Sequence, residues 1–374
     1  MTTVYVHSGD EAAPIQVGLA YVTARKGHLS STFAYSHEYL ASRQAHVIDP
    51  EFPLQAGNWP ARYELPGSLM DSTPDRWGRN LISKRYPGRR LDNLDYLLGV
   101  SDITRQGALR FTTELSGPFQ HPDATVPRLV ALRQLLEAVR LVESPTEGSE
   151  AVKFLLDAGS GSLGGARPKA AVDNNGRLYL AKFPHSHDRR DVITAEYDAL
   201  QGARKSGIRV PDCQLVKVGD DNVLLVERFD RANVAGTQTR VPYISAMTAV
   251  GARDGEQRDY LDILDFITKH GSKPQLDTAE LLRRIRYTIE IHNTDDHLRN
   301  HGFLLERGGW RLSPVFDINP NPNRNEQRQT PLGGHTDTVG SLRFLEELER
   351  GAQWGTTPSP STRAGARNDN VGGV

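Results

Sequence analysis

Apolar and polar residues alternate at Val4 and Val6 and again from Ile15 to Val22, the period-two pattern of half-buried strands. Thr32-Phe33-Ala34-Tyr35 then leads into a short helical pattern ending near Leu40, so the chain opens on a small β-rich unit. Pro53, Pro60, Pro66 and Pro74 punctuate the next stretch, and Pro74-Asp75-Arg76-Trp77 enters a predicted helix that runs to about Tyr86. A second helical pattern covers Asn93 to Leu98. Leu129, Leu132, Leu135, Leu136, Val139 and Val142 recur at three- and four-residue spacing, which predicts an amphipathic packing helix within 127–143. From about residue 168 the period returns to two. Lys169 to Val172 and Leu178 to Phe183, joined by an Asp173-Asn174-Asn175-Gly176 turn, predict a hairpin. A helix over Asp191 to Arg204 and a second hairpin follow, the latter formed by Gln214 to Val218 and Val223 to Arg228 around Gly219–Asn222. Beyond it the best segments are helical, Tyr260 to His270 and Thr278 to Ile291. A strand-rich lobe thus precedes a helical one. Residues 351–374 carry almost no apolar side chains and are expected to be disordered. No internal repeat is visible.

Composition narrows the class. At ~100–200 residues per domain, 374 residues suggest two or three domains. A net charge of −1 argues against a surface built to coat nucleic acid or anionic lipid, so such contact would be local or made through a partner. One cysteine, Cys213, cannot form an internal disulfide or a cysteine-based zinc site and fits a reducing compartment, with the cytoplasm as the default. The N-terminus lacks the basic and apolar regions of a secretory signal and no run of 18 apolar residues occurs, which leaves secretion and membrane insertion as poor readings. Only nine of the 45 cationic residues are Lys, so a Lys inside a motif carries more information than usual.

The densest chemistry lies in His292–His301, where two carboxylates, three His and two Asn share ten positions after an apolar helix. A polar helix exit with capping side chains is the plain reading. Asp295 and Asn300 also have the Asp-x-x-x-x-Asn spacing of a kinase catalytic loop, in which the Asp takes the substrate hydroxyl proton and the Asn binds Mg²⁺. Asp317, between Phe316 and Ile318, either caps the Asn-Pro turn that follows or is a buried carboxylate that needs a partner such as a metal ion. Upstream, the small residues of Gly159–Lys169 could let backbone N–H groups approach phosphates, although the stretch is neither a Walker A motif nor a Rossmann fingerprint and could be a linker. Lys182 falls on the second strand of the first hairpin, where a kinase places its phosphate-binding Lys, and Glu196 in the next helix could orient it. A strand Lys with an exposed head is the alternative. Glu227 to Arg231 lie at the lobe junction, the place of an adenine-binding hinge, unless Arg228 and Asp230 form only a surface ion pair.

Phe52-Pro53-Leu54, Asp75-Arg76-Trp77-Gly78, the run from Ser162 to Lys169, Lys182-Phe183-Pro184, Val226 to Arg231, Asn293 to His297 with Asn300, and Leu312-Ser313-Pro314 with Asp317 resemble the HipA family of serine/threonine kinase toxins from type II toxin–antitoxin modules. The resemblance covers roughly residues 1–322. It implies an α+β, bilobal protein-kinase-like fold, with a β-rich N-terminal subdomain over 1–125, a nucleotide-binding lobe over 126–240, a helical catalytic lobe over 241–350 and a tail over 351–374. It implies Asp295 as the proton acceptor, Asn300 and Asp317 as Mg²⁺ ligands, and Lys182 on the ATP phosphates under a loop containing Gly164, Gly165, Ala166 and Lys169. Glu227, Arg228 and Phe229 would meet the adenine, His297 would approach the nucleotide, and Ser162 matches the loop serine that such kinases autophosphorylate. Phosphate on that serine would repel the nucleotide through its added charge.

The implied substrate is a glutamyl-tRNA synthetase, and the implied partner is a small HipB-like helix-turn-helix antitoxin that binds operator DNA. Family members continue past the metal-binding Asp with several helices, whereas Thr336 to Arg350 predicts about one, so the catalytic lobe is expected to be shortened. Two other readings stay open, a catalytically inactive kinase fold that only binds antitoxin, and a metal-dependent hydrolase using His292, His297 and His301 with the intervening Asp residues.

Overall fold

In the computed structural model, which describes residues 1–9, 14–121, 124–144, 148–160, 166–234 and 237–353, the opening alternation folds as β1 (Thr2–Ser8), β2 (Ile15–Arg25) and β3 (His28–Tyr35). They form an antiparallel sheet with β4 (Trp59–Pro60) and β5 (Leu109–Thr112), in the order β4-β3-β2-β1-β5. Lys26 and Gly27, both at positive φ, close the two-residue turn between β2 and β3. The inward residues Val4, Val6, Phe33 and Phe111 are fully buried and pack with Phe52 and Leu69. Four short helices belong to this region: α1 (His37–Ala41), α2 (Gly67–Met70), α3 (Arg76–Arg85) and α4 (Asn93–Leu98).

A second sheet contains β6 (Lys169–Asn174), β7 (Arg177–Lys182), β8 (Cys213–Val218) and β9 (Asp221–Glu227), all antiparallel in the order β6-β7-β9-β8. Both hairpin turns are tighter than the sequence reading. Asp173 and Asn174 stay in the ladder because Asn175 and Gly176 alone take the positive φ that a two-residue turn requires, and Asp221 and Asn222 begin β9. On one face lie α5 (Leu132–Glu143) and α6 (Ser149–Asp157), the second unforeseen from sequence. Trp77, Leu81 and Ile82 of α3 join the same core, so the N-terminal region packs directly onto this second sheet and its helices. On the other face, α7 (Val192–Lys205) packs Ile193 and Leu200 against Leu224 and Val226.

A small hairpin, β10 (Arg231–Val234) with β11 (Thr237–Arg240), leads to a three-stranded sheet of β12 (Tyr243–Ser245), β13 (Gly302–Glu306) and β14 (Gly309–Leu312), elements absent from the sequence reading. Around that sheet stand α8 (Ala246–Ala249), α9 (Tyr260–His270), α10 (Pro274–Glu290) and α11 (Thr338–Gln353). Helix α10 starts at Pro274 rather than at Thr278, because proline is pre-shaped for a first helical turn where its missing N–H costs nothing. Tyr260, Ile263, Leu281 and Ile285 bury the facing sides of α9 and α10, and Leu345 brings α11 into that core. Most of the expected tail lies outside the described residues. Among the described residues no helix is long and apolar enough to cross a membrane.

Candidate active site

Lys169 on β6 and Lys182 on β7 are direct cross-strand partners, and both side chains are buried. Two like charges at that separation repel, so each needs its own counter-charge. Lys182 Nζ sits 2.5 Å from Glu196 Oε1 and 2.9 Å from Asp317 Oδ1. Burial alone would lower the Lys182 ammonium, but Asp317 and Glu196 together hold it above the usual lysine range. Burial raises Glu196 in spite of the lysine, whereas Lys182 and Lys169 outweigh burial at Asp317 and keep it below the usual carboxylate range. Lys169 pairs with Asp75, which caps α3 and which the sequence reading places only at the start of that helix, within the Asp75–Gly78 stretch.

These groups line one wall of a cleft of about 1460 Å³, and the opposite wall carries the segment after α10. His292, at positive φ, turns the chain out of the helix, and the Thr294 hydroxyl accepts from Asn321 Nδ2 at 2.7 Å. The next two carboxylates part company. The Asp295 side chain is 70 % exposed in the cleft, with Oδ1 accepting from Gln329 Nε2 at 2.8 Å and lying 4.0 Å from His297 Nε2. Partial burial, opposed by His297, together with the nearby negative charge of Asp317 and Asp296, raises it above the ordinary aspartate value. Asp296 points into the core, where it accepts from the Tyr260 hydroxyl and sits 2.9 Å from His301 Nε2. Asn300 Nδ2 donates to the Asp295 carbonyl at 2.8 Å, which orients the amide and leaves its oxygen for a ligand.

Asp317 lies at positive φ, a conformation that Asp tolerates better than most side chains. Its carboxylate and the Asn300 amide oxygen line the same cleft and are the hard oxygen donors that Mg²⁺ takes, a metal that commonly uses one or two protein ligands and completes its shell with phosphate and water. The histidines do not converge in the same way. His292 Nε2 bonds the Asn323 carbonyl at 2.8 Å, His301 faces Asp296, and among the described residues no three His, Cys, Asp or Glu side chains could hold a metal together.

At the lobe junction, Phe229 lies beside Phe316 and Tyr243 at ring distances of 5.4 and 6.3 Å, and Glu227 faces Arg177 at 3.5 Å. Arg228 and Asp230 do pair, but in the interior and not at the surface as the alternative reading had it. Arg228 donates to Asp230 at 2.7 and 2.5 Å and to the Thr104 carbonyl at 2.9 Å, so its guanidinium joins the N-terminal region to the hinge. Ala166 lines the cleft beside Arg167, which holds Asp188 through two bonds of 2.6 and 2.8 Å. Ser162, Gly164 and Gly165 lie outside the described residues. Sequence reasoning missed Asp75, Asp188 and Gln329, since nothing local to them signals a partner 94, 21 or 34 positions away.

Residues 161–368 match the model of the HipA-like C-terminal domain, and residues 16–112 match that of the HipA N-terminal domain. The chain is 23% identical over 186 residues to the serine/threonine-protein kinase toxin HipA of Shewanella oneidensis, 42% of each protein. It is 27% identical over 160 residues to a putative kinase of Haemophilus influenzae, 40% of this chain and 46% of that one. The chain thus spans less than half the length of these curated relatives. Its structure is similar to a chain of a Shewanella oneidensis MR-1 complex of the toxin–antitoxin system proteins HipA and HipB with operator DNA, with a TM-score of 0.68 at 18% identity over 92% of this chain and 84% of that one. The fold is therefore the expected α+β, kinase-like one, and with more than half of its length matched by the C-terminal domain model the chain belongs to the HipA family.

Proposed function

We propose that this protein is an ATP- and Mg²⁺-dependent serine/threonine protein kinase that acts as the toxin of a toxin–antitoxin pair. The observation that carries the reading is Lys182 held between Glu196 and Asp317 in a cleft whose other wall presents Asp295 and Asn300. In this arrangement Lys182 binds and orients the ATP phosphates, Phe229 packs against the adenine, and Asp295 accepts the proton of a serine hydroxyl as its oxygen attacks the γ-phosphorus and the bond to the ADP oxygen breaks. Mg²⁺, held by Asn300 and Asp317, would neutralise the phosphate charge. Positioning and electrostatics supply most of such a reaction, which suits a site built from fixed charges.

The finer assignments follow the family resemblance. The substrate is a glutamyl-tRNA synthetase, Ser162 is the autophosphorylation site, and a HipB-like helix-turn-helix antitoxin binds the protein and carries it to operator DNA in the cytoplasm. The test is transfer of γ-phosphate from ATP to the protein itself and to a glutamyl-tRNA synthetase. Wild type should incorporate phosphate only with Mg²⁺ present, and Asp317→Ala should not. Folded wild type that takes up none and modifies no substrate would favour an inactive kinase fold.

A further inference from the structure

Arg328 to Pro331 run beside the segment that carries Asp295, and each of these residues is tied down. The Gln329 N–H donates to the Thr294 carbonyl at 3.0 Å, and the Thr330 hydroxyl donates to the Asp296 carbonyl at 2.5 Å. Buried Arg328 donates to the Ser341 hydroxyl on α11, and the Pro331 carbonyl accepts from the Tyr260 N–H at 3.0 Å. On this fixed backbone the Gln329 side chain is exposed and lines the cleft, where its Nε2 donates to Asp295 Oδ1 at 2.8 Å. A carboxylate only accepts, so the amide nitrogen is the group that meets it. Among the described residues no hydrogen bond is made to Asp295 Oδ2, and His297 Nε2 stands 4.0 Å from Oδ1. The last torsion of an aspartate side chain has a broad, shallow preference, so a carboxylate 70 % exposed would turn freely without such a tether.

We propose that Gln329 is a positioning residue for phosphate transfer: its amide holds Asp295 by Oδ1 and so presents Oδ2 to the serine hydroxyl whose proton it takes. This rests on the kinase reading above. Orientation lost without loss of binding lowers the rate at saturating ATP and leaves half-saturation where it was. With the full chain and radiolabelled ATP, Gln329→Met, which keeps the length and loses the donor, should transfer γ-phosphate about tenfold more slowly at saturating ATP. The ATP concentration for half-maximal rate should stay within about twofold of wild type. Gln329→Glu has the same shape, no donor and a like charge, and should fall at least as far. Melting temperatures of both should stay near wild type, since the side chain is exposed and the backbone ties remain. In an Asp295→Asn background, Gln329→Met should slow residual transfer by less than about twofold, because a residue that acts through Asp295 has nothing left to orient. Where Asp295→Asn alone leaves no measurable transfer, the single variants decide.

A Gln329→Met that transfers at the wild-type rate, one that loses ATP affinity or melting temperature in step with its rate, or a full further tenfold loss in the Asp295→Asn background would overturn the proposal while leaving the kinase reading intact. Wild type that transfers no phosphate, either to itself or to a glutamyl-tRNA synthetase, would instead remove the kinase reading, and the proposal with it.

Discussion

Two clusters of buried charge lie on either side of the hinge, and they are built differently. Along the cleft wall, Lys169 and Lys182 meet Asp75, Glu196 and Asp317, with the Asp317 side chain still 20 % exposed. Behind the hinge, Asp230 takes Arg228, Arg231 and the Gly107 N–H, and Asp102 takes Arg110 and Arg240, in a joint sealed from solvent. Arg105, wholly enclosed there, donates to the Ser72, Leu97 and Val100 carbonyls at 2.8–2.9 Å. Burial brings the Arg105 and Arg231 guanidinium groups down to about 9. Guanidinium forks locked onto fixed carbonyls and carboxylates specify one register between residues 102–107 and 228–231. Lys182 instead meets carboxylates from two distant segments, and one of them, Asp317, is still partly exposed to the cleft. Burial of charge alone does not mark a site; what separates the first cluster from the second is a carboxylate, Asp317, that still faces the cleft.

The comparison is broken most directly by removing one carboxylate from the cleft, Asp295 on the wall opposite the lysines, and one from the joint, Asp230. Asp295→Asn takes away the proposed proton acceptor from an exposed position, so phosphate transfer should fall ~10²–10⁴-fold. Its melting temperature should match wild type, since an exposed substitution with one lost bond shifts stability by about 0.5 kcal/mol or less. A variant that keeps its transfer rate would remove Asp295 from the chemistry. Asp230→Ala should behave in the opposite sense. It strands Arg228 and Arg231 in a sealed joint and should cost ~3–5 kcal/mol in urea unfolding, because a buried charge without its partner is heavily penalised. If its unfolding midpoint matched wild type, the joint would not be what ties the N-terminal region to the hinge.

The sequence separates these two clusters only in part. Lys182, Glu196, Asp295, Asn300 and Asp317 are legible because kinase chemistry needs those types in that order along the chain, and they line one cleft. Hydrophobic period likewise recovers β6, β7, β9, α7 and α9, whose apolar faces are long and regular. The burial of Arg228 is not legible locally, because a charged residue at a lobe junction can equally pair at the surface until the Thr104 and Arg105 carbonyls, more than 120 positions earlier, meet it. Asp296 and Asp295 cannot be told apart locally either, since only the tertiary positions of Tyr260 and His301 turn one of them inward. The short strands β10 to β12 leave little periodic trace, and their pairing depends on distant partners.

The smallest expected effect concerns a buried carboxylate with no cation among its described partners. Asp49 is 2 % exposed and accepts from the Ser68 and Glu51 N–H groups at 2.8 and 3.1 Å. Burial dominates over these bonds and pushes it up to about 6, whereas burial at Asp230 is overcome by Arg228 and Arg231, which hold it well below the usual carboxylate range. The two therefore give stability slopes of opposite sign in different windows. Asp230 contributes stability above the unfolded aspartate value of ~3.9, and that stability is lost only as pH falls below it. At Asp49 the folded state holds the proton more tightly than the unfolded chain between ~3.9 and about 6, so stability falls as pH rises through that window and levels off above it. The full excursion is about 3 kcal/mol at most, since each tenfold change in proton affinity is worth roughly 1.4 kcal/mol. Asp49→Asn cannot ionise and should lose this component, gaining on wild type from pH 4.5 to pH 7 when urea midpoints are compared. Other raised carboxylates, Glu196 and Asp75 among them, tilt both curves alike and cancel in the difference. Parallel curves would mean that the Ser68 and Glu51 N–H groups compensate the Asp49 charge as well as the two arginines compensate Asp230, and the distinction between cation-paired and amide-paired burial would fail here.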